Sequence, residues 1–262
     1  MQRIDYTWMD TILASKVIVA GHRGYKARYP ENTLPSFKAA MDGGADMLEM
    51  DVNITRDGIP VVIHDLTVDR TTDGSGTIRS LTLEEIRRLD AAALWKGVFD
   101  RHVVPTLEEF CLLMDNYPHV LLNVEIKDRT REAVDSTMDI LSAHRMVPRC
   151  VFTCFDASIL AYFHDEYHVR TQGFPGEKMH NFHEGTEGTY SKMFAVGIEM
   201  GLLTAQRTAF FRNLGIHPWA YCPDTYEQAL LCRHMDVELV TCNELAPALE
   251  LFGSSPLGQA RG

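Results

Sequence analysis

Nothing in the chain approaches the roughly 20 consecutive apolar residues that a membrane-spanning helix requires. The first sixteen residues, MQRIDYTWMDTILASK, have no basic head leading into an apolar run and a small-residue cleavage site, so a cytoplasmic protein is expected. Basic charge is also short: 25 Lys and Arg stand against 36 Asp and Glu, for a formal net charge of −11. That balance argues against nucleic acid and anionic membranes as general partners, because both need a basic footprint. An anionic ligand would have to find local positive charge. The six cysteines form no C-x-x-C pair and no cluster with histidine, which leaves buried free thiols rather than disulfides or a zinc site. A G-x-G-x-x-G fingerprint is missing, and so are close internal repeats and low-complexity runs.

What is present is a regular alternation. Short β-branched or apolar runs bounded by turn residues predict strands at 17–20, 46–54, 120–126, 150–154, 168–173, 194–200, 216–222 and 237–241. Between them, apolar residues spaced i, i+3, i+4 predict helices over 33–42, 106–116, 130–143, 204–213 and 225–235. Eight strand–helix units in a chain of 262 residues is the arithmetic of an α/β fold of the (β/α)8 barrel type, in one domain over 1–262. A doubly wound sheet is the competing architecture. Residues 55–119 are too long for one connection and hold a hairpin-like piece (59–64), a Gly-rich loop (71–77) and a short helix (82–89). They are read as a small insertion and connecting segment after the second strand, laid over one mouth of the barrel. The tail SSPLGQARG is expected to fray.

Strand alternation then places the chemistry. In MLEMDVN, Met47, Glu49, Asp51 and Asn53 share one face, and in LLNVEIK, Asn123, Glu125 and Lys127 do. Two strands thus deliver carboxylates toward the barrel axis near their C-terminal ends, the end at which barrel enzymes carry their sites. Three confined carboxylates repel unless a proton or a cation intervenes, and oxygen ligands suit Mg²⁺, Ca²⁺ or Mn²⁺ better than Zn²⁺. The competing reading is an ion pair of Glu49 with Lys127 or Arg23 and no metal. His22 and His64 each follow a strand-like run and can divide the work of base and acid above the same mouth. Arg23 and Lys127 are either phosphate-binding cations or surface charges.

The segment HRGYKARYPENTLPSFKAAMDGGADMLEMDVNITRDGIPVVIHDLTVDRTTDGSGTI, with PTLEEF at 105–110 and NVEIK at 123–127, closely resembles the glycerophosphodiester phosphodiesterase family. The matching elements are H-R-G, P-E-N-T, the E-x-D pair, D-G-x-x-V-V-x-H-D, R-T-T-x-G-x-G and E-x-K. In the second half of the chain VFTCFDASIL is similar to the family's fourth strand and the Phe after it. The resemblance implies a (β/α)8 barrel with a small insertion after the second strand. It implies Glu49, Asp51 and Glu125 as ligands of a divalent metal, His22 and His64 as the catalytic acid/base pair, and Arg23 and Lys127 as the phosphate contacts. The implied reaction is hydrolysis of a small-molecule glycerophosphodiester to sn-glycerol 3-phosphate and an alcohol. A lysophospholipase D-like or other polyol phosphodiester hydrolase would use the same residues and need an apolar groove. A non-catalytic barrel would have lost one of the seven positions, and none is lost. The chain departs from the family late: Trp219-Ala220-Tyr221-Cys222 stands where W-T-V-N is common, and Thr241-Cys242-Asn243-Glu244 where T-D-x-P is. Those loops shape the rest of the pocket, and so bear on the headgroup.

Overall fold

The computed structural model describes residues 4–253; the tail expected to fray, 254–262, lies outside them. In chain order the described elements are α1 (Thr7–Ser15), β1 (Ile18–His22), α2 (Leu34–Asp42), β2 (Met47–Ile54), β3 (Pro60–Val62), α3 (Leu83–Arg87), α4 (Leu107–Met114), β4 (Leu121–Ile126), α5 (Arg131–Ala143), β5 (Cys150–Thr153), α6 (Ala157–Tyr167), β6 (Thr171–Gly173), β7 (Ala195–Glu199), α7 (Ala205–Asn213), β8 (His217–Tyr221), α8 (Tyr226–His234), β9 (Leu239–Cys242) and α9 (Ala246–Phe252). Each of the eight expected strands is there. They run in the order β1-β9-β8-β7-β6-β5-β4-β2, and β1 pairs in parallel with β2 to close the ring. That closure decides against the doubly wound sheet, whose ends stay open. No described helix is long and apolar enough to cross a membrane.

Helix starts follow from capping chemistry. Thr106 and Glu109 satisfy each other's backbone N–H groups in a capping box at the head of α4, and Thr225 with Gln228 does the same for α8. The strand parity holds as well. Ile18, Met47, Leu121, Val151, Ala195, Trp219 and Leu239 fill the barrel interior, while Val19, Leu48, Met50, Leu122 and Val124 pack against the helices. No element was foreseen over 1–16, yet α1 lays Met9, Ile12 and Leu13 across the N-terminal end of the barrel and closes that interior cluster. This short helix depends on its packing, since nine residues are too few to hold a helix in water. The other end is left for polar groups: Asn123 Nδ2 donates to Gln172 Oε1 (2.8 Å), and Thr153 Oγ1 donates to Asn123 Oδ1 (2.5 Å).

The segment after β2 has its own small core of Val61, Ile63, Val68, Ile78, Ile86 and Val104. Its β3 adds to β2 antiparallel, outside the ring. Gly74 and Gly76 lie outside helix and strand, as the loop reading predicts. α4, by contrast, packs Leu107, Phe110 and Met114 into the main core and belongs to the barrel. All six cysteines are free; five are buried and Cys222 is half-buried.

Candidate active site

β1 ends on His22, and the chain then turns sharply. Arg23 adopts φ 55° and Gly24 φ 83°. A Cβ on Gly24 would lie 2.4 Å from Ser36 Oγ, so only glycine lets the turn pack on α2. The left-handed Arg23 is held by Ser36 Oγ, which donates to its carbonyl (3.1 Å), and by the Asn32 N–H, which donates to the same oxygen (3.0 Å). Strain at a non-glycine residue persists only where surrounding structure over-determines it, and such positions gather at working sites.

The register of β2 against β4 sets Asp51 beside Glu125 and Glu49 beside Asn123. Oxygens of Glu49, Asp51 and Glu125 lie within 4.8 Å of one another, and all three residues are buried. Among the described residues the side-chain ion pairs go to Asp51 rather than Glu49. Arg23 Nε is 3.2 Å from Asp51 Oδ2, Lys127 Nζ is 3.3 Å from Asp51 Oδ1, and Lys127 also contacts Glu125. Asn32 Nδ2 donates to Asp51 Oδ2 at 2.8 Å. Glu49 receives the Arg23 backbone N–H, and its Oε1 is buried with no hydrogen-bond partner. Arg23 divides its charge further, since its Nη1 donates to Glu31 Oε1 at 2.8 Å.

The electrostatics follow from that count. Three buried carboxylates face two cations, one of them shared with Glu31. Burial, reinforced by the Asp51 and Glu125 charges, pushes the Glu49 carboxyl well above the ordinary range, and burial pushes Glu125 up too. Against burial, Lys127 and Arg23 hold Asp51 low. The cluster therefore lacks one positive charge, and two buried carboxylate oxygens, Glu49 Oε1 and Asp51 Oδ1, have no hydrogen-bond partner among the described residues. A hard divalent cation fits such an all-oxygen set and would supply that charge.

His22 and His64 arrive from opposite sides. Asn53 Nδ2 donates to the carbonyls of Ile63 (2.7 Å) and Asp65 (3.0 Å) and so pins the turn that carries His64 beyond β3. His64 Nδ1 meets Asp65 Oδ1 at 2.5 Å, and His22 Nδ1 meets Asn243 Oδ1 at 2.7 Å. Burial and the adjacent Arg23 charge push His22 down to about 3, and burial lowers His64. A cavity of about 130 Å³ at this end of the barrel is lined by Arg23, Glu49, His64, Glu125 and Lys127, with Phe155, Phe174 and Tyr221 as an aromatic wall. Asp51 lies beneath it, and His22 stands beside Glu49 with Nε2 3.9 Å from Oε2. A larger cavity, about 800 Å³, opens beside α1 at the opposite end and holds none of the seven.

Several residues that sequence reasoning did not single out complete the site. Arg70 bridges Glu31 Oε1 (2.7 Å) and Asp65 Oδ2 (2.7 Å), joining the Arg23 side of the mouth to the His64 side. Their only local signal is membership of the P-E-N-T, D-G-x-x-V-V-x-H-D and R-T-T segments. Asn243, visible in the sequence only within a departure from the family pattern, reaches His22 across 221 positions, and Asp224, which nothing local announces, holds Asn243 in turn.

Comparison with known proteins gives the same picture. Residues 22–246 match the Glycerophosphoryl diester phosphodiesterase family. A glycerophosphodiester phosphodiesterase of Caldanaerobacter subterraneus subsp. tengcongensis is 50% identical over 113 residues, covering 43% of this chain and 46% of that one. One of Bacillus altitudinis is 33% identical over 149 residues, covering 56% and 61%. The matched stretches thus span about half the length of these relatives. In fold, the chain is similar to an Oleispira antarctica phosphodiesterase solved in complex with the product sn-glycerol-3-phosphate, with TM-score 0.78, 24% identity and coverage of 90% and 97%. It is likewise similar to the glycerophosphodiester phosphodiesterase of Thermotoga maritima, with TM-score 0.69, 25% identity and coverage of 90% and 98%. With the barrel closed, the motif residues gathered at one mouth and most of its length matched, the chain belongs to the glycerophosphoryl diester phosphodiesterase family.

Proposed function

We propose that the protein is a metal-dependent phosphodiesterase that hydrolyses glycerophosphodiesters to sn-glycerol 3-phosphate and an alcohol, and that it works in the cytoplasm. The observation that carries this reading is the grouping of Glu49, Asp51 and Glu125 with Arg23 and Lys127, one positive charge short, with His64 at the same cavity and His22 beside Glu49. The product complex of the Oleispira antarctica neighbour supports it. Glu49, Asp51 and Glu125 would hold Mg²⁺, Ca²⁺ or Mn²⁺, which when bound supplies Lewis acidity and positive charge toward a phosphoryl oxygen.

A phosphodiester anion repels nucleophiles, so neutralising its oxygens is the first requirement. Arg23 and Lys127 are assigned that task, Arg23 with a fork suited to two oxygens. The substrate's own glycerol 2-hydroxyl is tethered beside the phosphorus, and such placement reaches effective molarities of about 10⁵ M or more. Its oxygen forms the new bond to phosphorus as the bond to the departing alcohol breaks. One histidine takes the hydroxyl proton while the other protonates the alcohol, and the roles reverse when water opens the 1,2-cyclic phosphate. His22, which burial keeps neutral, can start as the acceptor; the histidine that protonates the alcohol must start as imidazolium, so the two begin in opposite protonation states. The test is release of glycerol 3-phosphate from a panel of glycerophosphodiesters, with and without exhaustive chelation. Turnover that stops on chelation and returns with Mg²⁺ or Ca²⁺ supports the reading; full turnover by demonstrably metal-free protein removes it.

A further inference from the structure

The loops after the last two barrel strands contribute none of the seven motif residues, yet they grip one of them. Asp224, beyond β8, accepts the backbone N–H groups of Asn243 (2.7 Å) and Glu244 (3.1 Å) at Oδ1, and the side-chain Nδ2 of Asn243 (2.6 Å) at Oδ2. A carboxylate accepting three donors decides which way round the Asn243 amide lies: its NH₂ must face Asp224, which turns Oδ1 to His22 Nδ1 at 2.7 Å. An amide oxygen only accepts, so the hydrogen sits on Nδ1. The competing partner is Cys222, whose Sγ lies 3.4 Å from the same nitrogen. In the opposite tautomer its weak S–H would donate to Nδ1, but a carbonyl oxygen and a ring lone pair would then face each other at hydrogen-bond distance.

We infer that Asp224 and Asn243 are a positioning pair that holds His22 in the Nδ1–H tautomer, leaving the Nε2 lone pair for the reacting centre. This rests on the proton-transfer role proposed above for His22. Asn243 touches His22 at Nδ1, the nitrogen turned away from Glu49, and Asp224 touches only Asn243 and its neighbour Glu244 among these groups, so both act through the imidazole. Nε2 lies on the Glu49 side of the ring, as that role requires. The two loops are tied to the turn that follows His22, because the Asn243 carbonyl accepts from the Ala27 N–H (3.0 Å) and Glu244 accepts from Arg28 Nε (2.8 Å) and from the Tyr25 hydroxyl. The late departures of the sequence fall here. Cys222 and Asn243, one from each departing stretch, are the two side chains that meet His22 Nδ1 among the described residues.

The experiment reads the tautomer and the kinetics together. In protein labelled with ¹⁵N-histidine, the His22 resonances are those lost in His22→Ala, and in the native protein they should show a protonated Nδ1 and an unprotonated Nε2. Asn243→Ala should move them toward the Nε2–H form and lower kcat about 10- to 100-fold, with KM within about twofold. Asp224→Asn, which keeps the shape, should do the same in smaller degree by letting the amide turn. Combining Asp224→Asn with Asn243→Asp preserves every hydrogen bond in exchanged form, and it should restore both the tautomer and most of kcat; a merely structural role would lower kcat in the single variants without moving the ¹⁵N pattern of His22. A native His22 protonated on Nε2, or an Asn243→Ala variant with native kcat and native resonances, overturns the pairing. If His22→Ala itself turns over normally, the proton-transfer reading fails, while the ¹⁵N pattern still decides the pairing on its own. Native melting behaviour in at least one single variant keeps the comparison valid.

Discussion

Arg23 meets Glu49 through its backbone: the Arg23 N–H donates to Glu49 Oε2 at 2.9 Å, while the guanidinium passes on to Asp51 and Glu31. The register makes this possible, since His22 at the end of β1 lies opposite Glu49 of β2 and the next amide follows directly. Glu49 is thus oriented by a neutral donor and keeps its charge for something else.

Replacing that charge should separate stability from activity. In metal-free protein Glu49→Gln removes the carboxylate that burial and its two neighbours disfavour, so the melting temperature should rise by a few degrees, about what 1 kcal/mol produces in a chain of this size. Phosphodiesterase turnover should fall by at least about 10²-fold, a range typical for loss of a group that acts on developing charge. A Glu49→Gln variant with full turnover would show that Glu49 is not a metal ligand.

His22→Ala and His64→Ala should each lower kcat by about 10²-fold or more with the fold intact, as circular dichroism can check. An unchanged rate in either would mean that the residue carries no proton.

Substrates without the glycerol 2-hydroxyl should be cleaved very poorly, and a 1,2-cyclic phosphate should be detectable by ³¹P NMR during turnover of normal ones. Normal turnover of a 2-deoxy analogue would point to direct attack by water.

Gly24→Ala places a Cβ against Ser36 at a backbone φ of 83°. Left-handed strain and overpacking each cost about 1–3 kcal/mol, so urea denaturation should show a loss of several kcal/mol. Turnover in the residual folded protein should drop as well, because Arg23 and His22 share the turn. A midpoint unchanged within error would mean that α2 yields without cost.

The Glu31–Arg70–Asp65 bridge predicts an acid limb. Against burial, Arg70 and Arg23 hold Glu31 down to about 2, and the Arg70 hydrogen bond holds Asp65 down to about 2. Groups with a folded pKa below the unfolded one stabilise above the unfolded pKa and lose that contribution as pH falls through the folded one. Native stability should therefore decline between about pH 4.5 and pH 2. Arg70→Ala should be less stable at neutral pH and show a shallower decline in that window; an identical slope would assign the acid response to other carboxylates.

How much of this was legible in the chain depends on how local each cause is. Alternation along MLEMDVN and LLNVEIK is a property of one strand at a time, so the inward face of Glu49, Asp51 and Glu125 was readable without any neighbour. The eight strand positions and the capped helix starts are equally local, and the H-R-G, E-x-D, D-G-x-x-V-V-x-H-D and E-x-K segments named all seven site residues. Closure of the ring was not local, because it depends on β1 hydrogen-bonding to both β2 and β9. The α1 cap escaped notice because a nine-residue helix is stable only against the interior it covers. The role of Asn243, and Asp224 behind it, escaped it because a hydrogen bond to His22 across 221 positions leaves no periodic trace. The sequence by itself determined which residues face inward and which chemistry they bring. Only the tertiary structure decided which cation meets which carboxylate, which oxygen of Glu49 is left without a partner and which nitrogen of His22 is free, because those depend on register and packing between elements far apart in the chain.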